Sequence, residues 1–207
     1  MISKEKGIRK KRKDTKYEIK PTIPLSIKQC LARISFITNK PIKDIGEEIC
    51  IEGIYSREII ELLSQFFVRD YWHKSTFILG NNNRTSLQNS KLSNKNERIS
   101  LKIEKELDEK IKDLAYALDV TPSKATAILI DCTIKHSTFI SSYIKTHTTN
   151  ELDYEKMLEL RNILAFMNHN KPRILTWGAF ISYLYGKVKD DKVYVSEEIM
   201  NWIKKFE

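Results

Sequence analysis

The chain has 207 residues, 41% of them hydrophobic, and carries 36 Lys and Arg against 27 Asp and Glu, a formal net charge of +9. That length and apolar content suffice for one sizeable core or two small domains and exclude a wholly disordered chain. The cationic excess points to a polyanionic partner, because clustered Lys and Arg release condensed counterions from a phosphate backbone. Cys30, Cys50 and Cys132 lie far apart with no CxxC pattern, which argues against a disulfide framework or a zinc knuckle.

Residues 1–16 read as a flexible basic arm: Lys4, Lys6, Arg9, Lys10, Lys11, Arg12, Lys13 and Lys16 are opposed only by Glu5 and Asp14. The run Arg9 to Lys13 resembles a nuclear localisation signal. In a bacterial setting it reads instead as an arm touching phosphates or a minor groove, and a solvated tail with no role is the plainer alternative.

From Tyr17 the pattern turns globular and predicts a first unit over 17–79. It comprises a strand over Tyr17 to Ile23, helices over Ser26 to Thr38 and Lys43 to Gly53, and a third starting at the N-cap Ser56, with Ile59, Ile60, Leu63 and Phe67 on one face. Residues 80–96, rich in Asn and Ser, read as a polar linker and main domain boundary, since such side chains compete with the backbone for hydrogen bonds.

A second unit is expected over 97–145. In Arg98-Ile99-Ser100-Leu101-Lys102-Ile103 the apolar residues alternate, so Ile99, Leu101 and Ile103 share one face and Arg98, Ser100 and Lys102 the other. The period then becomes helical, with Leu107, Ile111, Leu114 and Leu118 on one side. Asp119-Val120 breaks the run. Thr121-Pro122-Ser123-Lys124 opens a second helix, Thr121 as N-cap and Pro122 at the first position, where its missing N–H costs nothing. Beyond it, residues 146–207 read as a C-terminal helical region: Glu151 to Asn168 up to Lys171-Pro172, Thr176 to about Lys189, and Ser196 to Phe206.

A lone strand with one apolar face needs a partner for its backbone and a cover for its side chains. Strand, helix, short turn and helix in roughly 40 residues resemble the ribbon-helix-helix (Arc/MetJ/CopG-like) family of bacterial repressors and plasmid proteins; the likeness covers about a fifth of the chain. The resemblance implies a two-stranded antiparallel ribbon laid in a major groove of double-stranded DNA, with Arg98, Ser100 and Lys102 reading base edges. It also implies phosphate contacts at the start of the second helix, at Thr121, Ser123 and Lys124, Pro122 supplying no N–H. The plainer alternative leaves Arg98 and Lys102 as solvated residues on an exposed strand.

Displacing the sequence by 80 residues pairs Ile19 with Ile99, Ile23 with Ile103, Leu31 with Ile111, Ile45 with Ala125 and Ile49 with Leu129, which suggests a duplicated unit. The second ribbon strand could then come from the same chain, as a single-chain pseudo-dimer whose outward faces are Glu18, Lys20 and Thr22 against Arg98, Ser100 and Lys102, with Lys20 and Thr22 joining the expected base readers. Such a ribbon is asymmetric and should prefer a non-palindromic site. Against it stand Pro21 and Pro24, each lacking a ladder donor, and Glu18, which phosphates would repel. A degenerate first unit would leave the second to form a homodimer or higher oligomer.

No nucleophile with its base and no Gly-rich phosphate loop can be found, so an enzyme is not expected, nor any cofactor. Cys132 and His136 have metal-ligand spacing on the second helix but no second pair, so a metal is not expected either. The reading is of a mainly α protein built from tandem ribbon-helix-helix-like units. It would be cytoplasmic, in a bacterial nucleoid or on a plasmid, since heavy use of Lys, Ile and Asn suits AT-rich coding DNA and no secretory or membrane segment is evident. Its role would be sequence-specific repression or plasmid maintenance. The alternative from another class is an assembly module whose basic arm binds nucleic acid without sequence preference.

Overall fold

The computed structural model describes residues 16–136, 138–148, 153–169 and 176–185. Two short strands, β1 (Tyr17–Ile19) and β2 (Thr22–Pro24), lead into α1 (Leu25–Thr38), α2 (Ile42–Tyr55) and α3 (Arg57–Ser64). A hairpin follows, β3 (Tyr71–His73) and β4 (Thr76–Ile78). Two more strands, β5 (Asn96–Arg98) and β6 (Leu101–Ile103), precede α4 (Lys105–Leu118), α5 (Pro122–His136), α6 (Phe139–His147), α7 (Tyr154–His169) and α8 (Trp177–Tyr185). The protein is mainly helical, and none of the described helices is long and apolar enough to cross a membrane.

Local chemistry sets the helix ends. Pro24 and Pro41 stand immediately before α1 and α2 with extended ψ near 140°, delivering the chain into each helix where no intrahelical donor is missed. The Ser56 hydroxyl accepts from the Ile59 N–H, and the Thr121 hydroxyl from the Lys124 N–H, both at 3.4 Å, as their sequence contexts predict. Thr176 likewise caps α8, accepting from the Ala179 N–H at 3.2 Å. Asn39 and Asp119, both at φ 54°, end α1 and α4 in the left-handed region, which short polar side chains tolerate.

The strands at the two ends of the first half-chain pair with each other. Tyr17, Glu18 and Ile19 lie opposite Ile103, Lys102 and Leu101, while Thr22, Ile23 and Pro24 lie opposite Arg98, Glu97 and Asn96. These two stretches belong to one antiparallel register, because across the interruption the Ile99 N–H donates to the Pro21 carbonyl at 3.0 Å. Beyond the far end the Leu25 N–H donates to the Lys95 carbonyl at 2.9 Å. Neither proline prevents the pairing: Pro24, opposite Asn96, turns its nitrogen to the ribbon's unpaired edge, while Pro21, opposite Ile99, leaves out the one rung that its N–H would have made and so interrupts the ladder between the two stretches. The ribbon closes within a single chain.

An 80-residue spacing relates the two halves. Helices α1 and α4, each of 14 residues, begin and end 80 positions apart, as do their left-handed caps Asn39 and Asp119, and α2 and α5 begin at Ile42 and Pro122. The same displacement carries the Thr22–Arg98 pair onto the Lys102–Glu18 pair. This is the pairing of an approximate two-fold axis passing between Lys20 and Ser100. The correspondence reaches the third helix of each half, where Ile59, Ile60 and Leu63 of α3 and, 80 positions on, Phe139, Ile140 and Tyr143 of α6 are buried; beyond it α3 leads to the β3–β4 hairpin and α6 leads to α7.

One hydrophobic cluster joins both halves. Ile19, Ile23, Ile99, Leu101 and Ile103 on the inner face of the ribbon are all buried with Ile27, Leu31 and Ile34 of α1, Ile45 and Ile49 of α2, Ile111 and Leu114 of α4, and Leu129 and Ile130 of α5. α2 packs closely on α5, with Gly53 facing Leu129 and Thr133. Here a small residue lets two helices approach. A β-carbon on Gly53 would meet Leu129 Cδ1 at 2.9 Å and would crowd the Thr133 hydroxyl more closely still.

The polar segment 80–96 is laid against this core. Leu87 and Leu92 pack on it, Leu87–Asn89 forms a 3₁₀ turn, and the Ser86 hydroxyl donates to the Asp119 carbonyl. At the same end of α4, the Arg69 guanidinium reaches the Asp119 carboxylate at 2.6 Å and the Tyr116 carbonyl at 2.8 Å. The β3–β4 hairpin, with Lys74 at φ 53°, carried no turn signature in the sequence. Predicted helix limits differ by at most three residues where they can be compared, and the end of α1 at Thr38 and the start of α5 at Pro122 coincide; Phe67, expected on α3, is buried just beyond its end. The expected helix over Ser196 to Phe206 and the break at Pro172 lie outside the described residues.

Gly53→Ala should destabilise the fold by about 1–3 kcal/mol, the usual cost of overpacking. Urea denaturation would read this as a lowered midpoint with the slope m unchanged, and an unchanged midpoint would show that α2 and α5 are not pressed together at this residue.

Candidate nucleic-acid interface

The ribbon separates its side chains by the period of two expected for a strand. Ile19, Ile23, Ile99, Leu101 and Ile103 point into the core, whereas Glu18, Lys20, Thr22, Arg98, Ser100 and Lys102 are all exposed. Five of these six are the residues expected to read bases. They share one face because the register places Glu18 opposite Lys102 and Thr22 opposite Arg98, with Lys20 and Ser100 between. The face is mixed in charge but net cationic: Lys20, Arg98 and Lys102 against Glu18.

Glu18 is the organised member of this surface. Its Oε1 accepts from the Ser100 hydroxyl at 2.8 Å across the ribbon, and its Oε2 meets the Lys20 ammonium at 2.9 Å along its own strand. These bonds, that to Lys20 first, hold its carboxyl below the ordinary glutamate range, with the nearby charges of Lys20 and Lys102 adding to the effect. The carboxylate therefore stays ionised and is aimed along the middle of the outer face. Elsewhere the ribbon is tied to its helices by ion pairs, Lys16 to Glu47 of α2 at 2.5 Å and Glu97 to Lys28 of α1.

At one end, the outer face runs into the start of α5. Thr22 and Asn96 of the ribbon, Thr121, Ser123 and Lys124 of α5, and Gln88 and Ser90 of the preceding segment line a cleft of about 290 Å³. Thus one expected base reader and the three phosphate contacts expected at the helix start lie together. The helix start is nevertheless already engaged: the Thr121 N–H donates to Gln88 Oε1 at 2.8 Å, and the Lys124 ammonium donates to the Ser90 carbonyl. Burial lowers the Lys124 pKa. Two donors expected for phosphate thus serve the chain itself, because the segment before the ribbon crosses the helix start. Gln88 and Ser90 were not legible as part of this region, since an Asn- and Ser-rich stretch carries no periodicity to say where it packs.

The start of α2, which the 80-residue spacing relates to that of α5, is built differently. Pro41 precedes it without a side-chain cap, and Lys40, Pro41 and Lys43 are exposed. In the place of Asn96 and Ala127 stand Lys16 and Glu47, closed on each other as an ion pair. The two ends of the ribbon therefore differ chemically.

Of the remaining expected phosphate contacts, Arg9, Lys10, Lys11, Arg12 and Lys13 lie outside the described residues. Cys132 is half-buried, its thiol pushed up to about 11 by burial, and no group of three or more His, Cys, Asp or Glu that could hold a metal is found among the described residues. No protein-family model, curated protein or solved structure matches the chain significantly.

The side-chain titration of Glu18, followed by NMR, should have its midpoint below the ordinary glutamate value. Lys20→Met should raise it, and Ser100→Ala should raise it less. A midpoint unmoved by both substitutions would show that the two contacts do not form in solution.

Proposed function

We propose that this protein is a sequence-specific DNA-binding protein that lays a two-stranded ribbon, 17–24 paired with 96–103, into a major groove. The observation that carries the reading is the division of that ribbon into a buried apolar face and an exposed face bearing Lys20, Thr22, Arg98, Ser100 and Lys102. A two-stranded ribbon fits the width of the B-DNA major groove, and Arg, Lys, Ser and Thr are side chains suited to base edges there. The tandem arrangement of strand and two helices, repeated after 80 residues around an approximate two-fold axis, supports a single-chain form of the ribbon-helix-helix architecture.

In this reading phosphates are met at the helix starts flanking the ribbon, through Thr121, Ser123 and Lys124 at one end, and Lys124 exchanges its bond to the Ser90 carbonyl for a phosphate oxygen. The arm of residues 1–16 adds sequence-independent attraction through its cations. Repression or maintenance of a plasmid or other mobile element is the role such a reader would serve, in a bacterial cytoplasm. One chain presents a complete ribbon, so one chain suffices for one groove, and pairs of chains would occupy adjacent grooves.

The test is binding to a random DNA pool followed by affinity measurement on the enriched duplex at fixed salt. Arg98→Ala and Lys102→Ala should each weaken binding to the enriched duplex by about 1–3 kcal/mol while leaving binding to scrambled DNA and the unfolding midpoint nearly unchanged. Equal loss on both DNAs, or none on either, would remove the ribbon as the reader. Deleting residues 1–15 should weaken all duplexes alike and flatten the dependence of affinity on salt; an unchanged salt slope would show that the arm makes no phosphate contacts.

A further inference from the structure

Three pairs of outward residues occupy equivalent places on the two halves of the ribbon: Glu18 with Arg98, Lys20 with Ser100, and Thr22 with Lys102, each pair 80 positions apart. In a ribbon made from two identical chains each pair would hold one residue type. Here every pair differs, and the first differs in sign. Arg98 offers only hydrogen-bond donors, whereas an ionised Glu18 offers only acceptors.

Base edges answer these two groups differently. A guanidinium pairs with the O6 and N7 acceptors of guanine, while a carboxylate accepts from the N4 amino group of cytosine. A palindromic duplex presents the same base to both of two dyad-related side chains. No single base serves both Glu18 and Arg98.

Resting on the DNA-reading role proposed above, we propose that Glu18 reads the amino edge of a cytosine occupying the place that the ribbon's two-fold axis relates to the guanine read by Arg98, where a palindrome would hold a second guanine, so that the recognised duplex is non-palindromic there.

Three features of the ribbon fit a carboxylate in this role. Its two oxygens are fixed by separate donors, Ser100 on Oε1 and Lys20 on Oε2, so the group is oriented before DNA arrives. Each carboxylate oxygen has two lone pairs, so after one bond each retains capacity to accept an amino proton. The repulsion between a carboxylate and the phosphates is offset locally, because Lys20 touches it and Lys102 lies directly opposite on the paired strand. Glu18 thus brings an acceptor into the groove inside a cationic setting. The acceptor costs little in attraction to phosphate and excludes guanine and thymine, whose major-groove edges carry no hydrogen-bond donor.

The experiment is selection from a random duplex pool with the full chain, in parallel for wild type, Glu18→Gln and Glu18→Arg, each checked for an unchanged unfolding profile. Wild type should enrich a motif with guanine at the Arg98 step and, in place of the guanine that a palindrome puts on the other strand at the dyad-related step, cytosine, so that one strand reads guanine at both steps. Glu18→Gln, close in shape and able to keep its bond from Ser100, should shift that second step towards adenine, which glutamine pairs through N6 and N7. Glu18→Arg should install guanine there and make the motif palindromic at that step, with about a tenfold gain over wild type on the palindromic duplex. A palindromic wild-type motif at this step, or one motif common to all three proteins, overturns the role of Glu18 while leaving the ribbon as a reader. If Glu18→Arg does not fold, the glutamine variant alone decides. Absence of any enriched motif with wild type overturns the DNA-reading role and this proposal with it.

Discussion

The structure depends on the antiparallel pairing of residues 17–24 with 96–103. Among the described residues neither strand has another backbone partner, and neither could bury its isoleucine face alone. Joined, they place Ile19, Ile23, Ile99, Leu101 and Ile103 on one side, where α1, α2, α4 and α5 close over them. The pairing spans almost the whole of the first half-chain, so the helices between the strands are enclosed by a single long-range contact. Everything on the outer face, including which residues stand side by side, follows from its register.

The pairing also lets one chain complete the ribbon by itself. A ribbon with a buried face requires two strands and two sets of covering helices, and this sequence supplies both sets 80 residues apart. Fusing the halves removes the need for symmetry. Identical chains must carry identical outward residues, whereas here the helix start at Thr121 carries a polar cleft, the one at Pro41 is uncapped, and Glu18 stands where the other half has Arg98. Helix α7, packed on α1, and α8, packed on α6 and α7, follow the second half and have no counterpart after the first.

Much of this was legible in the residues because alternation and helical period are strong signals when they switch sharply. The change from Ile99-Leu101-Ile103 to Leu107-Ile111-Leu114 marks a strand handing over to a helix, and the 80-residue displacement located its counterpart near Ile19. Two matters were not legible. Whether strands pair within or between chains is decided by the path of the intervening segment, and 80–96 has too few apolar residues to reveal that Leu87 and Leu92 anchor it. Nor does spacing show which polar groups a fold uses for itself: Thr121 and Lys124 carry the composition of a phosphate contact, yet Gln88 and Ser90 already engage them. The prolines were read as obstacles because a missing donor matters in the middle of a sheet. Here Pro24 faces the ribbon's free edge, and Pro21 removes a single rung that the pairs on either side outlast.

The most direct test of a single-chain, DNA-reading ribbon is an NMR titration of the full chain with an enriched duplex, following the amides of both strands. The account predicts that resonances of 17–24 and 96–103 shift together and saturate at one chain per ribbon-binding site, with cross-strand contacts between Ile19 and Leu101 remaining within one chain in a mixture of labelled and unlabelled protein. Shifts confined to other parts of the molecule, or Ile19–Leu101 contacts that arise between chains, would contradict it.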